Sequence, residues 1–178
     1  MVTDLRVIPQ PPEGFLLELP ACGLQGLEAH FRKYLNPRFA RIRDRSEELG
    51  MVSVVGPRGR QLLLDVLGSH GRWAEPDTGV DAARFLTHPT YGPVILLENR
   101  DLEPPTLDVV VEAAALGPVK DALQETGASP MTPQVWDVLR IEAGTPAFGL
   151  DMTEETIPVE AGIHGKAIDY RKGCFTGH

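Results

Sequence analysis

The order of apolar and polar positions predicts a mixed α and β chain. Leu5 and Val7 alternate with Arg6 and Ile8, which predicts a strand over Asp4–Pro9. Pro11-Pro12-Glu13-Gly14 reads as a turn, and Phe15–Leu19 as the return strand of a hairpin. Leu24, Leu27, Phe31 and Leu35 then recur at helical spacing, and Pro37 ends that helix. Phe39–Arg45 predicts an edge strand whose alternating arginines keep one face wet. Met51–Val55 is a short apolar strand. Pro57 starts a helix that stops before Gly68. Gly68–Pro93 is rich in Gly, Pro, Asp and His and reads as loop, followed by a strand over Val94–Glu98. This βαββαβ-like order predicts a ferredoxin-like antiparallel sheet with helices on one face.

A second region is expected beyond residue 100. Leu107–Val111 is a strand, Pro118–Thr126 a helix, and Thr132 caps a further helix with Pro133 in its first turn and Gly144 at its end. Asp151–Gly162 reads as an acidic loop with a helical turn, and Ala167–Tyr170 as a short strand. The expected class is α+β, divided into a ferredoxin-like domain over 1–100 and a partial ligand-binding domain over 101–178.

Composition narrows the function classes. The chain has 178 residues and is 42% hydrophobic, which fits a folded globular protein. No apolar run is long enough to span a membrane, and the residues after Met1 do not read as a secretion leader. Two distant cysteines, Cys22 and Cys174, make neither a disulfide framework nor a metal site, so a cytoplasmic location is expected. A net charge of −8 disfavours DNA as a partner. The basic cluster Arg32, Lys33, Arg38, Arg41, Arg43 and Arg45 runs against that charge. It reads as a solvated helix end and strand face, or as an anion-binding surface suited to a polyglutamyl tail or RNA. His30, His70 and His88 lack partners at metal-ligand spacing and read as structural or surface residues.

Three residues stand out chemically. Asp108 places one carboxylate inside the run Leu107-Asp108-Val109-Val110-Val111, and a buried charge is costly unless paired. It is either a strand-end residue facing water or an acceptor for the paired N–H groups of an aminopyrimidine ring. Arg140 shares a helix face with Trp136, four positions earlier. Cys174 sits in Lys172-Gly173-Cys174-Phe175-Thr176-Gly177-His178. There glycines permit a tight turn, and the nearby Lys172 favours the thiolate, unless the cysteine is simply small and buried.

That last motif resembles the signature of the YgfZ-type folate-binding family, which is related to the glycine cleavage T protein, the tetrahydrofolate-dependent aminomethyltransferase. Trp136-Asp137-Val138-Leu139-Arg140-Ile141-Glu142-Ala143-Gly144-Thr145-Pro146 and Ile157-Pro158-Val159-Glu160-Ala161-Gly162 resemble segments shared by both families, in the same order. The cysteine and Trp136 favour the YgfZ side. The resemblance implies part of a split folate-binding domain, in a fragment without the family's N-terminal segment and C-terminal β-barrel. A missing domain or partner chain would then complete the site.

The resemblance further implies tetrahydrofolate as cofactor, with Asp108 and Arg140 toward the pterin and Lys172 toward a folate carboxylate. Cys174 would be the working thiol, with Lys172 holding its charge state. The implied role is support of iron–sulfur protein assembly and tRNA modification, with iron–sulfur proteins as partners. One thiolate cannot by itself hold a cluster that takes four ligands, so no metal site is expected. The alternatives are a folate-dependent aminomethyl or one-carbon transferase, for which Thr3-Asp4 offers one carboxylate where the T protein has two, and a non-catalytic remnant of the fold.

Overall fold

A computed structural model describes residues 1–10, 12, 14–68, 83–99, 102–169, 171 and 173. The chain forms two compact units, one of residues 43–145 and one that combines 1–42 with 146–178. The division differs from the expected 1–100 and 101–178. The strands before and after residue 100 are hydrogen-bonded neighbours in one sheet, and the two chain ends contribute to the same unit.

The 43–145 unit is built on strands β3 (Leu49–Val55), β4 (Ala83–His88), β5 (Gly92–Asn99) and β6 (Thr106–Glu112), numbered after two strands in the other unit. They form a four-stranded antiparallel sheet in the order β3-β6-β5-β4. Helix α2 (Gly59–Leu67) connects β3 to β4, and α3 (Ala113–Glu125) leaves directly from β6. Among the described residues the element order of this unit is β-α-β-β-β-α, followed by one more helix. It differs from the ferredoxin-like expectation, because β6 stands where the second helix of βαββαβ would be. Strand β4 falls within the stretch expected to be loop. Its alternation at Arg84, Phe85, Leu86 and Thr87 is only a few residues long, yet it pairs with β5 through six residue partners.

One face of the sheet carries the core. Val54, Leu107, Val109, Val111, Val94 and Leu96 pack with Leu62, Leu63 and Leu67 of α2 and with Val119 and Leu123 of α3. This is the helix-on-sheet packing that the apolar periodicities demand. Gly50 lets α3 approach β3, since a Cβ there would lie 2.7 Å from Leu116 Cδ2. Helix α3 begins five residues before the expected start, so Pro118 lies inside it. The run Ala113-Ala114-Ala115-Leu116 favours helix strongly enough to begin the turn ahead of the proline. Helix α4 (Pro133–Glu142) follows, capped as expected: the Val135 N–H donates to Thr132 Oγ1 at 3.4 Å.

The other unit contains β1 (Arg6–Pro9) and β2 (Phe15–Glu18), an antiparallel ribbon tied by Arg6 and Glu18 at 3.2 Å. A 3-10 turn (Ala21–Gly23) leads into α1 (Leu24–Tyr34). The C-terminal part of the chain returns to the N-terminal part. The Met1 ammonium donates to the Glu154 carbonyl at 2.7 Å, and the Cys22 thiol lies 3.5 Å from the Phe148 carbonyl. The expected edge strand over 39–45 is instead a turn and open coil, with paired arginines at its end rather than a strand neighbour. The expected strand over 167–170 is not formed over 167–169, because His164–Ala167 forms α5, a single helical turn; Tyr170 lies outside the described residues.

Candidate functional site

Asp108 lies on β6, between β3 and β5, at a position with no solvent exposure. Register explains its neighbours. Ser53 on β3 and Leu97 on β5 stand directly opposite it, on the sheet face away from the α2–α3 core. Residues Met51, Val110 and Ile95 lie on the same face one pleat along.

A carboxylate at such a depth must be hydrogen-bonded. The Ser53 hydroxyl donates to Asp108 Oδ1 at 2.6 Å, and the Asn99 amide donates to Oδ2 at 3.1 Å. Three adjacent strands thus each supply one polar side chain to a shared network. The strand-end residue facing water is excluded for Asp108. The carboxylate instead accepts from its two strand neighbours. Ser53 and Asn99 were not singled out from the sequence, although a signal exists. Met51-Val52-Ser53-Val54-Val55 and Leu96-Leu97-Glu98-Asn99 each interrupt an apolar run with polar residues, as Asp108 does.

Arg140 is buried near the C-terminal end of α4. Its Nε donates to Asp137 Oδ1 at 2.7 Å, with Nη2 at 2.5 Å from the same oxygen, and Nη1 donates to the Thr145 carbonyl at 3.4 Å. A guanidinium near the last turn also meets the negative end of the helix dipole. Arg140 therefore clasps its own helix end. The structure places it and Asp108 in the same unit, each held by its own neighbours. Trp136 is half-buried one turn before Arg140. Cys174 and Lys172 lie outside the described residues.

Asp4 precedes β1, and the Thr3 hydroxyl donates to the Asp4 carbonyl at 3.0 Å. Among the described residues, no group of three or more His, Cys, Asp or Glu side chains is arranged to hold a metal ion. Among them, no helix is long and apolar enough to cross a membrane.

No protein-family model matches the chain. Individual proteins do. An aminomethyltransferase of Rubrobacter xylanophilus is 31% identical over 170 residues, which is 93% of this chain and 43% of that protein. One from Cutibacterium acnes is 26% identical over 184 residues, 99% of this chain and 49% of that protein. One from Exiguobacterium sibiricum is 25% identical over 177 residues, 99% of this chain and 47% of that protein. The chain spans about half the length of the curated relatives it matches. These similarities support a T-protein-like relationship. They give no support to the YgfZ-type assignment, or to roles in iron–sulfur assembly and tRNA modification.

Proposed function

We propose that the chain is a tetrahydrofolate-binding portion of a T-protein-like aminomethyltransferase. The observation that carries this reading is the similarity to aminomethyltransferases along 93% of the chain. The Ser53–Asp108–Asn99 network supports it chemically. An aminopyrimidine ring presents adjacent N–H donors, and a carboxylate on a rigid strand is their natural acceptor. Because Asp108 has no exposed surface, the pterin would reach it only by replacing what covers that face.

When bound, tetrahydrofolate supplies the amine that accepts the one-carbon unit. The chain's own contribution is orientation. Ser53 and Asn99 hold the Asp108 carboxylate in one rotamer, so a ring docked on it is fixed in plane and direction. Arg140 stiffens the end of α4 through Asp137 and Thr145.

Calorimetric titration of the reduced chain with tetrahydrofolate, under anaerobic conditions, tests the proposal. Saturable binding is expected, weakened at least about tenfold in Asp108→Asn, a loss of about 1.4 kcal/mol. A chain shown folded by circular dichroism that takes up no tetrahydrofolate would refute it.

The YgfZ-type reading rests on the Lys172–Gly177 motif and on Trp136.

A further inference from the structure

The end of α1 and the loop after it carry a charge pattern that the folate reading does not use. From Ala29 to Ile42 the chain has four cations, Arg32, Lys33, Arg38 and Arg41, and no carboxylate, within a protein of net charge −8. Their pairing is uneven. Arg32 is tied to Glu28 at 3.1 Å, while Arg43 and Arg45, just past the segment, both pair with Glu48. Arg38 and Arg41 make no ion pair or side-chain hydrogen bond among the described residues. Lys33 lies 4.9 Å from the Tyr34 ring centroid, and that neighbour holds its ammonium above the usual lysine range.

Between the two unpaired guanidinium groups stands Phe39, 87% exposed, the most exposed large apolar side chain among the described residues. Tyr34 and Ile42 add exposed apolar surface on either side. Residues Asn36 to Arg41 line an open concave surface of about 710 Å³. The loop has a defined turn: the Arg38 N–H donates to Asn36 Oδ1 at 3.0 Å, and the Phe39 N–H to the Asn36 carbonyl at 2.9 Å. An exposed phenyl ring flanked by arginines is a costly arrangement for a free surface, and the kind that anchors a partner.

We propose that the Arg38-Phe39-Ala40-Arg41 loop, with the end of α1, is a docking surface for a short acidic polypeptide segment that carries an apolar side chain among its carboxylates. Arginine pairs with carboxylates through two parallel hydrogen bonds, and Phe39 supplies the apolar contact. Extent decides against nucleic acid. A long phosphate backbone would continue past this patch onto a protein of net negative charge, whereas a few carboxylates fit within it.

Fluorescence anisotropy with a labelled peptide of six glutamates and two leucines tests this. A labelled single-stranded oligonucleotide of equal charge serves as competitor class. Saturable peptide binding is expected, weakening as salt rises. Arg38→Glu with Arg41→Glu should weaken it at least about tenfold, as expected for two exposed ion pairs of up to about 1 kcal/mol each turned repulsive. Phe39→Ala should weaken it several-fold, and Lys120→Glu, the same sign of charge change on exposed α3, by less than about twofold. Peptide affinity unchanged in the double variant, or no saturable peptide binding, overturns the proposal. Tighter binding of the oligonucleotide than of the peptide overturns it in favour of nucleic acid.

Discussion

The 43–145 sheet and the unit formed by the two chain ends are stabilised in contrasting ways. In the sheet, one continuous stretch of chain folds on itself. Buried valines and leucines on β5 and β6 meet α2 and α3, and the polar network lies on the opposite face. In the other unit, buried apolar side chains among the described residues are few: Ile8, Leu27, Phe148 and Met152. There, contacts join residues more than a hundred positions apart, such as Met1 with Glu154 and Cys22 with Phe148. Apolar burial scales with area, so the sheet should resist unfolding, while the other unit depends on backbone fit and single hydrogen bonds. A rigid strand framework is also the better place for a carboxylate that must hold one direction.

The largest expected effect comes from opening the sheet core. Leu96 is fully buried, and Leu96→Ala should cost about 2–5 kcal/mol, read as a lower urea midpoint for the 43–145 unit. Asp108→Ala should cost about 1–3 kcal/mol in the same assay, because it removes the acceptor of the half-buried Ser53 hydroxyl and Asn99 amide. Ser53→Ala removes one bond and leaves Asn99 engaged, so about 1–2 kcal/mol is expected.

The other unit is tested at Gly149. Its φ is +88°, and an added Cβ would lie 2.8 Å from Cys22 Sγ. Gly149→Ala should cost about 1–2 kcal/mol locally. It should speed amide exchange at Gly149, whose N–H donates to the Met152 carbonyl at 2.7 Å, and leave exchange on β5 and β6 unchanged. A matching loss of protection in the sheet would show that the two units are not separable in this way. The smallest effect is at the α4 cap, where Thr132→Ala should cost about 0.5–1 kcal/mol, given its long hydrogen bond.

The same contrast explains what the sequence reveals. Helices α1 and α4 follow from local periodicity and caps, because those signals act within one or two turns. Strands β3, β5 and β6 follow from their valine and leucine runs. Strand β4 does not. Arg84-Phe85-Leu86-Thr87 is brief, and its stability comes from β5, a neighbour across a turn. The union of the chain ends has no local signature, so the sequence offers a boundary near residue 100 while the compact units divide at 42 and 145. At the candidate site, Asp108 announces itself as a charge in a valine run. Ser53 and Asn99 become visible only once register sets β3 and β5 beside it. Arg140 is conspicuous in sequence as a ligand candidate, yet Asp137, three residues earlier, already engages it.

The central claim is that tetrahydrofolate is read at the Asp108 face of the sheet. Hydrogen–deuterium exchange with and without tetrahydrofolate, on the reduced chain and on Asp108→Asn, tests it most directly. The account predicts slower exchange over 49–55, 92–99 and 106–112 when the ligand is added, and loss of that protection in the variant. Saturable binding with protection elsewhere, or protection that survives in Asp108→Asn, would contradict it.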